Sequence, residues 1–185
     1  MSIDIICGPM YCGKTTELIR QLSVYKDMNL RVLYVNSFLD TRANTFSTHN
    51  PSLKNINHLK SMKLKSLDSV KPEEWDVIGI DECQFFSRLT KNVVRWADKF
   101  NVKVICAGLN GDSNRQLFGD LVNLIPHCDS IKKLKGFCVV CITQHKKYTP
   151  SIFTLRVNTK TQTKILIGDK HLYKGVCRSC YNKLI

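Results

Sequence analysis

Residues 7–16 read Cys7-Gly8-Pro9-Met10-Tyr11-Cys12-Gly13-Lys14-Thr15-Thr16. A glycine, four residues, then Gly-Lys-Thr is the spacing of a loop that cradles phosphate. Its backbone N–H groups, ending at a helix N-terminus, surround phosphate oxygens; Lys14 adds a point charge and Thr15 a hydroxyl for Mg²⁺. The pattern means this only when a strand precedes it and a helix follows. Both are present: Ile3-Asp4-Ile5-Ile6-Cys7 is a short apolar strand, and Leu18, Ile19, Leu22 and Tyr25 recur at helical spacing beyond Thr15.

Further along, Arg31–Val35, Val77–Ile80 and Val102–Ala107 are strand-length apolar runs, and Leu89, Val93, Trp96 and Phe100 predict a helix over 88–100. Strands rich in Val and Ile that alternate with helices imply an α/β fold, a parallel sheet flanked by helices. Between Phe38 and Pro72 the pattern weakens. Residues 44–57 are rich in Asn, Ser and Thr and suit a loop, while residues 60–71, KSMKLKSLDSVK, read as a solvated lysine-bearing face. After Gly136 the composition changes, which places a boundary near residue 135: residues 1–135 form the phosphate-binding unit and 136–185 a smaller second one.

The chain of 185 residues carries a net charge of +13. Residues 130–185 hold twelve Lys/Arg against a single acid, Asp169, so most of the excess lies in the second unit. Such a surface suits nucleic acid, a small anion or plain solvent. No apolar run approaches a membrane span and the N-terminus lacks a basic segment followed by an apolar one, so the expected location is the cytoplasm. Of nine cysteines, Cys7, Cys12, Cys83, Cys106 and Cys128 are scattered and read as small buried hydrophobes. The other four form two pairs, Cys138-x-x-Cys141 and Cys177-x-x-Cys180, with 35 residues between them. Two such pairs in a reducing compartment supply four thiolates to one tetrahedral Zn²⁺; with no open position the ion is structural. His145 is then left on the surface.

Asp81 and Glu82 end the apolar run at Ile80. A carboxylate at that point is costly unless it has work to do, and in phosphate-loop proteins it positions Mg²⁺. Glu82 is either a base that takes a proton from a substrate hydroxyl or an N-terminal charge ahead of the 88–100 helix.

Taken in order, GPMYCGKTTELIR (8–20), Asp40-Thr41-Arg42, Thr48-His49, IGIDECQFF (78–86), LNGDSNRQLFG (109–119) and the two cysteine pairs resemble the type II thymidine kinases over nearly the whole chain. The resemblance implies a P-loop NTPase-like parallel sheet with a small C-terminal zinc-binding domain carrying a lasso loop. It implies ATP bound by Gly8, Pro9, Met10, Tyr11, Cys12, Gly13, Lys14 and Thr15, with Asp40, Thr41, Arg42, Asp81, Glu82, Cys83 and Gln84 around it. Arg42 and Lys14 would stabilise the transferring charge, Thr15 and Asp81 would serve Mg²⁺, and Glu82 would be the general base. Phe85 and Ser113 would line the nucleoside pocket, the backbone of Lys164, Ile165, Leu166, Ile167 and Gly168 would read the thymine edge, and Tyr173 would close it. The family further implies a homotetramer, inhibition by thymidine triphosphate, and no membrane or nucleic-acid partner. Departures from the family pattern fall near the base: Ser113 where an aromatic residue is usual, Asn110 for Asp, Asp169 for Gly, and a longer loop between the cysteine pairs. From the residues alone, two other readings stand beside the kinase: an ATPase acting on nucleic acid through its basic segment, and a zinc-ribbon binding module on a degenerate nucleotide fold.

Overall fold

In the computed structural model, residues 1–40, 59–157 and 172–185 are described. The first strand, β1 (Ser2–Cys7), lies inside a parallel six-stranded sheet with β2 (Val32–Ser37), β3 (Lys60–Leu64), β4 (Val77–Ile80), β5 (Lys103–Gly108) and β6 (Ser130–Lys133), in the order β3-β2-β4-β5-β1-β6. Strand alternation sorts the apolar side chains onto two faces. Ile3, Ile5, Leu33, Val35, Ile78, Ile80, Val104 and Cys106 share one core; Ile6, Val32, Tyr34, Val77, Ile105 and Ala107 share the other. A sheet covered on both faces favours strands that are apolar on both sides, which is why the central runs show no regular polar alternation.

The helix α1 (Lys14–Asp27) covers the second face through Leu18, Ile19 and Leu22, all fully buried. Burial of each is worth about 1.5–3 kcal/mol. The helix comes this close because Gly79 lies beneath it: a Cβ there would stand 2.5 Å from Leu22 Cδ1. On the first face lies α2 (Leu89–Phe100), with Leu89, Val93 and Trp96 buried and Phe100 39% exposed. The expected stripe therefore ends one turn early, and the Phe100 ring instead carries the Arg95 guanidinium at 5.7 Å.

The four central strands and both helices fall where the sequence places them. The two edge strands do not. Lys60–Leu64, read as a solvated lysine face, is strand β3, paired with β2 from Lys60 opposite Leu33 to Leu64 opposite Ser37. On the far edge every residue of β6 is exposed. Edge strands tolerate lysines, and are protected by them, so they lack the apolar signature of the centre.

Beyond β6 the chain forms a smaller cluster of elements: β7 (Gly136–Phe137), α3 (Val139–His145), β8 (Pro150–Ser151), β9 (Phe153–Arg156), β10 (Tyr173–Val176) and α4 (Arg178–Leu184). β7 pairs with β8 and β9 with β10, both antiparallel. Cys138, Cys141, Leu155, Val176, Cys177, Cys180 and Tyr181 are its buried core. No helix among the described residues is long and apolar enough to cross a membrane.

Candidate active site

In a parallel sheet, ligands bind beyond the carboxyl ends of the strands. At that end β1 turns into the phosphate loop. Gly8 has φ 151° and Gly13 φ 87°; a Cβ on Gly8 would meet the Leu134 carbonyl at 2.5 Å, so only glycine fits. Gly13 is the N-cap of α1 and offers no side-chain acceptor, leaving the first-turn N–H groups for an outside partner. Lys14 is buried and its Nζ donates to the Pro9 carbonyl at 2.9 Å. The ammonium is thus folded back over the loop. Met10 N donates to Thr154 Oγ1 at 3.0 Å, which ties the loop to β9.

One strand away from β1, across β5, Asp81 directly follows β4. Its side chain is 1% exposed. Tyr34 OH donates to Asp81 Oδ2 at 2.9 Å and the Thr15 side chain hydrogen-bonds to the same carboxylate. Burial, and then repulsion from Glu82, push the Asp81 carboxyl above its usual range; the Thr15 and Tyr34 hydrogen bonds only partly offset this. Tyr34 is itself held neutral, first by burial and then by Asp81, so it remains a donor. The Asp40 carboxylate is buried nearby and accepts from Asn36 Nδ2 at 3.0 Å. A hydroxyl and buried acids at a phosphate loop are the oxygen donors that Mg²⁺ takes alongside phosphates, and a cation would offset the repulsion that the acids meet there.

Glu82 stands in the left-handed region, φ 47° and ψ 39°, a cost that structures retain chiefly at functional positions. It precedes a 3₁₀ turn, Cys83–Phe85, and α2 has no acid in its first turn. Glu82 is therefore not a helix-terminal charge on α2. Gln84 Nε2 donates to Glu82 Oε2 at 2.6 Å, and Gln84 Oε1 accepts from Leu109 N at 3.0 Å, which fixes the amide the right way round. Cys83 is fully buried in the core that α2 covers, and burial drives its thiol well above the normal range. Phe85 is half-buried and packs edge-on against Phe118, centroids 5.7 Å apart. The Ser113 carbonyl accepts from Tyr181 OH at 2.6 Å. Tyr173 opens β10 opposite Arg156. Thr41, Arg42, Thr48, His49 and Lys164–Gly168 lie outside the described residues.

The four paired cysteines do converge: their sulfurs lie within 4.8 Å of one another. Cys141 Sγ is 3.8 Å from Cys177 Sγ and 3.5 Å from Cys180 Sγ. Thiolates 2.3 Å from a tetrahedral zinc stand about 3.8 Å apart, so the donor set fits that ion. Each pair sits at a helix start, with Cys138 and Cys177 as N-caps of α3 and α4. All nine cysteines are free thiols; Cys7, Cys83 and Cys106 are buried as expected, whereas Cys12 and Cys128 are only partly so.

Sequence reasoning passed over Tyr34, Asn36, Thr154 and Tyr181. Their partners are 47, 4, 144 and 68 residues away. Only Asn36, a polar residue in an otherwise apolar strand, gave a local signal.

A glycine-bearing loop between β1 and α1 of a parallel sheet, facing a strand-end acid one strand away, defines a phosphate-loop nucleotide-binding protein. A protein-family model described as thymidine kinase matches residues 1–181. The chain is similar to thymidine kinases of Amsacta moorei entomopoxvirus (37% identical, covering 98% of each chain) and Myxoma virus strain Uriarra (35%, covering 97% of this chain and 95% of the relative). A third, from Vaccinia virus strain Ankara, is 34% identical, with 97% and 96% covered. The chain belongs to the thymidine kinase family.

Proposed function

We propose that this protein transfers the γ-phosphoryl group of ATP to the 5′-hydroxyl of thymidine or deoxyuridine, giving the monophosphate for DNA synthesis. The observation that carries this is the convergence of Lys14 and Thr15 at the start of α1 with Asp81 and Glu82 at the end of β4, in a chain of this family. Lys14 leaves the Pro9 carbonyl for the phosphates, whose oxygens take the orphan N–H groups of the loop. Thr15 and Asp81 would hold Mg²⁺, which when bound neutralises charge on the phosphates. Glu82, aligned by Gln84, takes the proton from the 5′-hydroxyl as its oxygen attacks phosphorus and ADP departs. Arg42, two residues after Asp40 in the sequence, stabilises the charge in transfer.

Phe85, Ser113 and Tyr173 bound the nucleoside, with the backbone of residues 164–168 over the base edge. The four cysteines hold one structural zinc in residues 136–185, and residues 1–135 carry the phosphate chemistry. A homotetramer, inhibition by thymidine triphosphate and a cytoplasmic location follow from the family in the same way, and four free thiols shared by one metal suit a reducing compartment.

Two results bear on the reading. Lys14→Ala should weaken ATP binding by at least roughly tenfold, because a buried charge-assisted contact to phosphate is removed. Calorimetric ATP affinity equal to the native protein would remove the phosphate-loop assignment. Substrate choice is the sharper test. Backbone groups that match a thymine or uracil edge leave one buried group unpaired against cytosine, at about 1–3 kcal/mol. Thymidine and deoxyuridine should turn over readily, and deoxycytidine and the purine deoxynucleosides poorly. Equal turnover of thymidine and deoxycytidine contradicts readout by that backbone. With Ser113 in place of a bulkier aromatic residue, larger 5-substituted deoxyuridines should also be accepted.

A further inference from the structure

The loop between β5 and the 3₁₀ segment at Leu121 carries Ser113 and is shaped by its own hydrogen bonds. Asp112 N donates to the Gln116 carbonyl at 2.9 Å and Arg115 N to the Asp112 carbonyl at 3.1 Å. Asp112 Oδ1 accepts from the amides of Asn114 (2.8 Å) and Gln116 (2.9 Å). Arg115 is left-handed, at φ 63°. These bonds give the turn its shape, and at the loop's two ends Leu109 N donates to Gln84 Oε1 and Phe118 packs on Phe85. At Ser113 the anchor comes from the four-cysteine unit. Tyr181, 2% exposed and the residue after Cys180, donates its hydroxyl to the Ser113 carbonyl at 2.6 Å. The Arg115 guanidinium lies 4.7 Å from the Tyr181 ring centroid and 5.5 Å from that of Phe153 on β9. The two rings are 5.2 Å apart, so the cation and the hydroxyl grip one loop from one aromatic pair.

The loop also stands at the rim of the candidate site. Asn110, Asp112 and Arg115 form one wall of a cavity of about 160 Å³. Pro9 of the phosphate loop and Phe153 and Thr154 of β9 lie around the same space. A loop released from Tyr181 would move at the edge of the site rather than at a remote surface.

We propose that Tyr181 is a positioning residue for the nucleoside pocket, transmitting the fixed geometry of the four-cysteine unit to Ser113 through its hydroxyl. The inference rests on the reading above of this chain as a thymidine kinase with Ser113 at the nucleoside. Tyr181 touches no reacting atom in this account. It sets where the pocket wall stands, so its loss falls on thymidine binding and not on the phosphates.

Tyr181→Phe tests this because it keeps the ring, its packing on Phe153 and the stacked Arg115, and deletes only the hydroxyl. The KM for thymidine should rise roughly three- to tenfold, the loss expected for one buried hydrogen bond. The KM for ATP should stay within about twofold, and zinc content should be unchanged. In the same variant, amide hydrogen exchange at residues 112–116 should quicken while exchange at residues 8–15 does not. A thymidine KM and loop exchange both like the native protein overturn the proposal. So does an equal rise in both KM values with loss of zinc, which makes Tyr181 a general support of the fold. If the native protein fails to phosphorylate thymidine, the functional reading fails separately. The exchange measurement then still decides the clasp: faster exchange at 112–116 supports it and unchanged exchange overturns it.

Discussion

Glu82→Gln should reduce kcat by about 10²–10⁴, or roughly 3–5 kcal/mol of barrier, the range for a positioned general base. The substitution isolates proton transfer unusually well. A hydrogen bond from Gln84 helps align Glu82, and the Gln84 amide is itself oriented by Leu109 N. An amide side chain of the same shape can turn its oxygen toward Gln84 and keep that bond. The left-handed backbone at φ 47° costs a glutamine about what it costs a glutamate. ATP affinity and melting temperature should therefore stay near native while turnover collapses. Near-native turnover would show that the 5′-hydroxyl gives its proton to another group.

The second large effect belongs to the cysteine cluster. Among the described residues, four of the seven that make up that unit's buried apolar cluster are the cysteines themselves, with Leu155, Val176 and Tyr181 as the remainder. So small an apolar core does not hold a unit together without a staple. Zinc held by four thiolates contributes on the order of 10–16 kcal/mol in small metal-folded peptides. Cys177→Ser removes one ligand and spares the helix, since serine is as good an N-cap for α4 as the thiol that now accepts from Cys180 N at 3.5 Å. Zinc should fall from one per chain to a minor fraction, and the melting temperature should drop by roughly 5–10 °C. Because Tyr181 and Thr154 connect this unit to the Ser113 loop and to Met10, activity should fall with the metal. Native protein that contains no zinc and melts unchanged in the variant contradicts a structural metal.

What was legible in the sequence was whatever local chemistry fixes. Gly8, Gly13 and Lys14 are constrained by the shape of one loop; the cysteine pairs, by the reach of two thiolates at a helix start; Asp81, by the oddity of an acid at the end of an apolar strand. The central strands were legible because both faces are buried and Val, Ile and Leu dominate them, with polar residues such as Asp4 and Asn36 standing singly. The edge strands β3 and β6 were not, since edges that carry lysines and are only partly buried, as in β3, or exposed, as in β6, give little burial signal. The supporting residues of the site stayed hidden for a different reason. Tyr34 in β2 looks like any aromatic in a strand until β4 is placed beside it and its hydroxyl meets Asp81. Thr154 and Tyr181 find their partners only when the chain folds back over the phosphate loop. Neither residue type nor spacing encodes such a meeting.

The central claim is transfer of phosphoryl to a nucleoside, and product stoichiometry tests it directly. With ATP, Mg²⁺ and thymidine, the protein should form ADP and thymidine monophosphate in equal amounts, with negligible inorganic phosphate and no response to added DNA or RNA. Formation of ADP and inorganic phosphate without the monophosphate, accelerated by nucleic acid, would contradict the account and make the basic C-terminal segment the seat of function.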